Sequence, residues 1–369
     1  MLLSVLCFAS LIVLTAPEPE AVSTGPFPDP LVLENGQRVE TKENWEARRS
    51  EMRGLLLRHE YGSVPSSSVP VKLAETVAQE TQNGGITAFR SVRLAVGSEN
   101  PFPVQVEIYL PAGGAGPYPA ILRVGLGCPI IKEINERGYI FACYENKDFD
   151  PDTHGADKIG PAQAMFPDCD WGSLGAWAWG ASRVMDYLVT LPEVDAKHVA
   201  VTGHSRTGKT ALLAGALDER FAAVVPNGSG CGGAAAYRRY GPDCETLELI
   251  TRPSRFVSWF QKDFRQFAGK ENELPFDQHF LRALVAPRPV LSTDALGDLW
   301  ANPIGTAAAW RAAQPVFDFL GVPENNAMHF REGKHDQLPE DFRVLLDFVD
   351  HHFFGKPLTY TYNKGPGEE

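Results

Sequence analysis

The sequence predicts an α/β fold, a mostly parallel central sheet with helices on both faces, and three observations carry that prediction. From Tyr118 onward short apolar runs alternate with helix-like stretches, the pattern of strands joined by crossover helices. Before Tyr118 the chain reads as paired strands, so antiparallel strands lead into the parallel part. The 369 residues are 44% hydrophobic and 22% charged, enough for one large domain with a sizeable core.

The elements follow in order. The opening stretch, MLLSVLCFASLIVLTAPEPEAVS, is apolar from Leu2 to Ala16 and then turns polar. It has the h-region and small residues of a secretory leader but no basic start, and it is short for a membrane span. We therefore expect a leader over residues 1–22, a mature chain of 23–369, and a secreted or periplasmic protein. In ENWEARRSEMRGLLLRHEYG, Trp45, Met52, Leu55 and Leu56 recur close to helical spacing, which predicts an amphipathic helix packed across the main body. KLAETVAQETQNGGITAFRSVRLAV predicts paired strands turning at Asn83-Gly84-Gly85, and PVQVEIYLP alternates as a further strand. PAILRVGL, YIFACYE, HVAVTG, FAAVVPN and RPVLSTDAL then read as strands; LGAWAWGASRVMDYLVTL, GKTALLAGAL, IGTAAAWRAAQPVFDFL and EDFRVLLDFVDHHFF read as helices. At about 231–280 the pattern lapses into an aromatic-rich insertion suited to a lid. This succession is what an α/β-hydrolase shows: a single catalytic domain with an N-terminal helix-and-strand extension.

A net charge of −12 with no basic stripe argues against nucleic acid as a partner. With the leader removed, five cysteines remain; an odd number does not make a dense disulfide framework, although Cys231 and Cys244 are close enough in sequence to bridge. No Cys/His spacing suits zinc, so neither a metal nor a cofactor is expected. We expect a monomer with no membrane contact once the leader is cleaved.

The chemistry centres on VAVTGHSRTGKTALLAGAL. Gly203, Gly208, Lys209 and Thr210 complete a phosphate-binding loop pattern, yet Ser205 in the same stretch would sit as a nucleophile on a sharp strand-to-helix turn. A P-loop NTPase also needs a carboxylate at the end of a second strand, and only Asp294 could be stretched to serve. A hydrolase needs an acid and then a histidine downstream, and both are present: Asp298 in LSTDALGDLW and His335 in FREGKHDQLP. A serine hydroxyl is a poor nucleophile until a base takes its proton, and the carboxylate fixes the imidazole tautomer. Asp294 and Asp336 rival Asp298; among nine histidines only His335 combines a loop, a preceding strand and the right order. The usual G-x-S-x-G is not met, because Thr207 stands where glycine is expected and Gly208 follows one position later. Arg206 would aim its backbone N–H at an oxyanion and add a permanent charge. The competing reading of Ser205 is a plain helix N-cap, and that of Lys209 is a solvated lysine.

At WGSLGAWAWGASRVMDYL, GHSRTGKTALLAGALDERFAAVVPNGSGCGGAA, LPFDQHFLRALVAPRP and GDLWANP, the sequence resembles the glucuronoyl esterases, a family of carbohydrate esterases, over roughly residues 40–355. The resemblance implies an α/β-hydrolase that cleaves, without a metal, esters between 4-O-methyl-glucuronic acid branches of xylan and lignin alcohols. It implies Ser205 as nucleophile, His335 as base, Arg206 beside the oxyanion, and Lys209 and Trp300 as sugar contacts. Trp259 and His279, in the insertion, are further candidates for substrate contact. Many members carry a glutamate where PNGSG has Gly228; others use a carboxylate after the following strand, as Asp298 would be. An acetyl-xylan or other carbohydrate esterase is the alternative within the same fold. A relative that binds carbohydrate without turnover, its tryptophans serving as stacking surfaces, is the alternative outside enzymes.

Overall fold

The computed structural model describes residues 21–65, 69–114, 116–153 and 159–367; the apolar run of the expected leader lies outside them. Helix α1 (Lys42–Leu56) starts where the Thr41 side chain accepts a hydrogen bond from Asn44 N–H, and it buries Trp45, Met52, Leu55 and Leu56 as their spacing predicts. Strands β1 (Val71–Gln82) and β2 (Thr87–Val96) pair antiparallel around Asn83-Gly84-Gly85, three residues with positive φ, and β3 (Phe102–Pro111) pairs with β2. Then come β4 (Tyr118–Val124), β5 (Ile140–Tyr144), α2 (Ser173–Leu188), β6 (Val194–His204), α3 (Arg206–Leu217), β7 (Ala223–Asn227), β8 (Val290–Ala295), α4 (Pro303–Phe319), β9 (Asn326–Arg331) and α5 (Pro339–Phe354).

The sheet runs in the order β9-β8-β7-β6-β4-β5-β3-β2-β1. From β9 to β5 every pairing is parallel; from β5 to β1 every pairing is antiparallel. Period-two alternation along the central strands builds two cores. Ala120, Leu122, Val124, Val199, Val201 and Val224 face one side with α1, α2, α3 and α4, whereas Ile121, Ala200, Ala223 and Val225 face the other with α5. This is the expected α/β-hydrolase architecture. Among the described residues no helix is long and apolar enough to cross a membrane.

Three expectations need revision. The stretch between β7 and β8 adds no strand to the main sheet, but Phe256, Trp259, Phe260 and Phe264 turn inward and are nearly fully buried. Its aromatic content fills core rather than forming a detachable lid. Cys231 and Cys244 are both buried free thiols, not a disulfide. Val22, placed at the end of the leader, pairs with Tyr240 in a short two-stranded ribbon.

Candidate active site

The parallel strands deliver their functional groups to one edge of the sheet, where their carboxyl ends lie. Ser205 joins β6 to α3 with φ +57 and ψ −124, a strained conformation for a residue with a side chain and the mark of a tight strand-to-helix turn. The chain closes there because Gly203 and Gly208 have no side chains. A Cβ on Gly203 would stand 2.2 Å from Thr207 O, and one on Gly208 would stand 2.7 Å from Asn227 O. Thr207, at the position where the usual pattern has glycine, earns its place: its hydroxyl accepts from His204 N–H at 3.0 Å and donates to His204 O at 2.9 Å.

His335 comes from the loop after β9, with Nε2 2.9 Å from Ser205 Oγ and Nδ1 2.6 Å from Asp298 Oδ2. Ionised Asp298 only accepts, so the imidazole proton resides on Nδ1 and the Nε2 lone pair faces the serine hydroxyl. Asp298 is 4% exposed, and its other oxygen takes the Ala301 N–H at 3.2 Å. Gly228, at the end of β7, has φ +50, and a Cβ there would lie 3.3 Å from His204 Cε1 and 3.7 Å from Asp298 Oδ2. The imidazole of His204 thus fills the space beside the acid. It bonds Asn227 Oδ1 at 2.6 Å, and burial pushes its pKa down to about 4. A cleft of about 550 Å³ opens above Ser205 and His335, with Arg123, Asn146, Asp152 and Arg206 in its walls. A hydroxyl, a base and an acid in this relay, at the mouth of a cleft and beside a helix N-terminus, are equipped for acyl transfer.

A model of the glucuronyl esterase family, in its fungal form, matches residues 92–321. The chain belongs to the glucuronoyl esterase family. It is 34% identical to a carbohydrate esterase, MZ0003, from an unknown prokaryotic organism, over 89% of this chain and 90% of that one. It is 32% identical to a glucuronoyl esterase of carbohydrate esterase family 15 from Caldicellulosiruptor kristjansonii, with a TM-score of 0.81, covering 92% of this chain and 94% of that one. A serine-to-alanine variant of the Sporotrichum thermophile glucuronoyl esterase, solved in complex with methyl 4-O-methyl-β-D-glucopyranuronate, is 27% identical, with a TM-score of 0.73 and coverage of 93% and 91%.

In this esterase the remaining expected site residues take different places. The Arg206 guanidinium is ion-paired with Asp152 at 2.6 Å and lies over the rings of Trp259 and Phe256. Lys209 is neither solvated nor aimed at a phosphate cradle. It is 3% exposed, with Nζ 2.7 Å from both Ser229 O and Glu245 Oε2, so two of its three donors are already committed. That geometry removes the P-loop alternative, whose lysine must face phosphates. Trp259 is 2% exposed, stacks on Phe256 at 3.9 Å and donates to Asp152 Oδ1. It supports Arg206 from beneath and has no free face for a sugar. His279 is wholly buried, bonded to Pro28 O at 2.8 Å, with its pKa pushed down to about 3 by burial. It ties the N-terminal segment to the body and does not reach substrate. Trp300, half-buried on the turn after Asp298, keeps an accessible ring with the Arg255 guanidinium over it at 5.3 Å.

Sequence reasoning missed Asp152, Glu245, Asn227, Gln337 and Arg123. Asp152 carried one usable signal, its place just past the apolar strand YIFACYE, where sites of this fold form. Glu245 and Gln337 lie in irregular segments far in sequence from their partners, and nothing local marks them.

Proposed function

We propose that this esterase cleaves the ester between a 4-O-methyl-glucuronic acid branch of xylan and a lignin alcohol, through an acyl-enzyme on Ser205. The observation that carries the reading is the unbroken relay from Asp298 through His335 to Ser205, at 2.6 and 2.9 Å. Ser205 Oγ attacks the ester carbonyl as His335 Nε2 takes its proton, and Asp298 stabilises the imidazolium. The Arg206 N–H, at the start of α3, and its guanidinium face the developing oxyanion. The alcohol leaves with the proton from His335, and water activated by the same imidazole releases the uronic acid. Lys209 has one N–H left for a sugar hydroxyl, and Trp300 offers a wall for the ring. The Sporotrichum relative's uronate ester ligand supports the acid side of the substrate. The apolar N-terminal run supports export and action outside the cytoplasm.

The test is hydrolysis of benzyl glucuronate by wild type, Ser205→Ala and Asp298→Asn. Turnover lost in the first and reduced by orders of magnitude in the second supports the reading. Wild type inert toward the uronate but active on acetyl esters would replace the substrate, and activity on neither would favour a binding protein.

A further inference from the structure

Arg206, the cation expected to act on the oxyanion, already has a counter-ion in Asp152. A second guanidinium in the cleft has none among the described residues. Arg123 projects from the carboxyl end of β4, in register with Thr202 on β6 and Cys143 on β5. Its hydrogen-bond acceptors among the described residues are neutral. Nη1 donates to Gly125 O and Leu126 O, both at 2.8 Å, while Nε and Nη2 share Gln337 Oε1 at 3.2 Å. Among the described residues no carboxylate stands within ion-pair distance of it.

Those three acceptors belong to the two loops that complete the site. Gln337 lies two positions beyond His335, so the tie fixes the segment carrying the base. Gly125 and Leu126 lie in the loop after β4. In this fold that loop supplies the second oxyanion N–H, next to the one from the residue after the nucleophile. The loop abuts the elbow: a Cβ on Gly125 would stand 3.5 Å from both Arg123 Nη1 and Thr207 Cγ2. Gly125 and Gly127 hold φ of +84 and +88, a shape that turns the loop's carbonyls back onto the guanidinium.

We infer that Arg123 is a positioning residue that locks the oxyanion-side loop to the His335 loop, so that one planar fork sets the geometry of both around Ser205. The inference rests on the proposed roles of Ser205 and His335. Arginine is required because lysine, with a single nitrogen on a flexible stem, cannot hold three acceptors in one plane. A displacement of about 1 Å at reacting groups costs on the order of 10²-fold in rate, and the effect should fall on turnover, because four of the five guanidinium N–H groups are committed to the two loops and not to substrate.

The experiment measures kcat and KM on benzyl glucuronate for Arg123→Gln, Arg123→Lys, Gln337→Leu and the Arg123→Gln/Gln337→Leu double variant, with melting temperatures alongside. We expect kcat to fall by about 10²-fold in Arg123→Gln, with KM within about threefold of wild type. Arg123→Lys should regain only part of the loss, and Gln337→Leu should lose several-fold. The double variant should be no worse than Arg123→Gln, because both changes cut the same tie. Folded Arg123→Gln with wild-type kcat, or losses that multiply in the double variant, would overturn the inference. Should Arg123→Gln fail to fold, unchanged kcat in Gln337→Leu, at a partly exposed position, overturns it instead. Ser205→Ala separates the two levels: turnover persisting there removes the site reading itself, whereas a dead Ser205→Ala beside an unaffected Arg123→Gln removes only the role of Arg123.

Discussion

Strand β8 and the loop that follows it carry two aspartates four positions apart, equally hidden from water, that the structure puts to opposite uses. Asp298, in the loop, gives one oxygen to His335 and the other to the Ala301 N–H. Asp294, inside the strand, is 3% exposed, and neither oxygen has a hydrogen-bond partner among the described residues. Burial, with the charges of Asp298 and Asp341 nearby, pushes its pKa up to about 7 against the opposing pull of Arg282 and of the Thr306 hydroxyl. The Thr306 hydroxyl exerts that pull without making a hydrogen bond of full geometry. The difference teaches that burial alone does not make a carboxylate functional: donors that receive its charge do.

The largest expected effect separates the two positions directly. Asp298→Asn presents an amide to Nδ1 and loses control of the imidazole tautomer, so kcat should fall by about 10³- to 10⁴-fold with the fold intact. Asp294→Asn, of the same shape, should leave kcat within about fivefold of wild type, since its side chain makes no hydrogen bond to the relay. Steady-state kinetics of the two purified variants decide it, and equal losses would break the comparison.

A buried charge that does have a partner sharpens it. Lys209 and Glu245 are 3% and 4% exposed and meet at 2.7 Å. Removing one partner leaves the other uncompensated, so Lys209→Met should cost about 3–5 kcal/mol in urea unfolding. Adding Glu245→Leu should recover much of that stability without restoring full activity. If the double variant is as unstable as the single one, the pair's importance lies in packing and not in charge balance.

Asp294 should declare itself through pH next. Its folded pKa, about 7, lies above the unfolded value of 3.8, so between these values the native state holds a proton that the unfolded chain has released. Stability contributed by this group is therefore complete below about pH 4, declines as pH rises toward 7 and levels off above it. Relative to Asp294→Asn, wild type should lose on the order of 2–3 kcal/mol from pH 5 to pH 7. Parallel melting temperatures of the two proteins across that window would contradict this assignment.

Much of the fold was legible because it rests on local patterns: the Trp45–Leu56 periodicity, the Asn83-Gly84-Gly85 turn, and alternating apolar runs ending at His204 and Asn227. The relay was legible for a related reason. Each member lies just beyond a recognisable strand, and strand order fixes where those ends converge. The substrate wall was not. Trp259 and His279 carry the right chemistry for sugar contact, but whether an aromatic faces a cleft or the core is decided by long-range packing. Phe256 stacked on one and Pro28 bonded to the other are such partners, unmarked in the local sequence. Arg123 was invisible for the same reason, since its tie to Gln337 spans 214 positions.

The smallest effect tests the space around Asp298. At Gly228 a left-handed φ of +50 and the His204 ring leave little room for any side chain. Gly228→Ala should cost about 1–2 kcal/mol, because alanine resists that backbone conformation. Its Cβ, 3.3 Å from His204 Cε1, would press the ring. That ring lies against His335 with centroids 4.7 Å apart, so the strain should reach the base and lower kcat by several-fold while KM holds. His204→Ala combined with Gly228→Ala removes the obstruction. If kcat then stays as low as in Gly228→Ala with His204 present, the strain travels through the backbone of β7, and the ring beside Asp298 is filler, not a support.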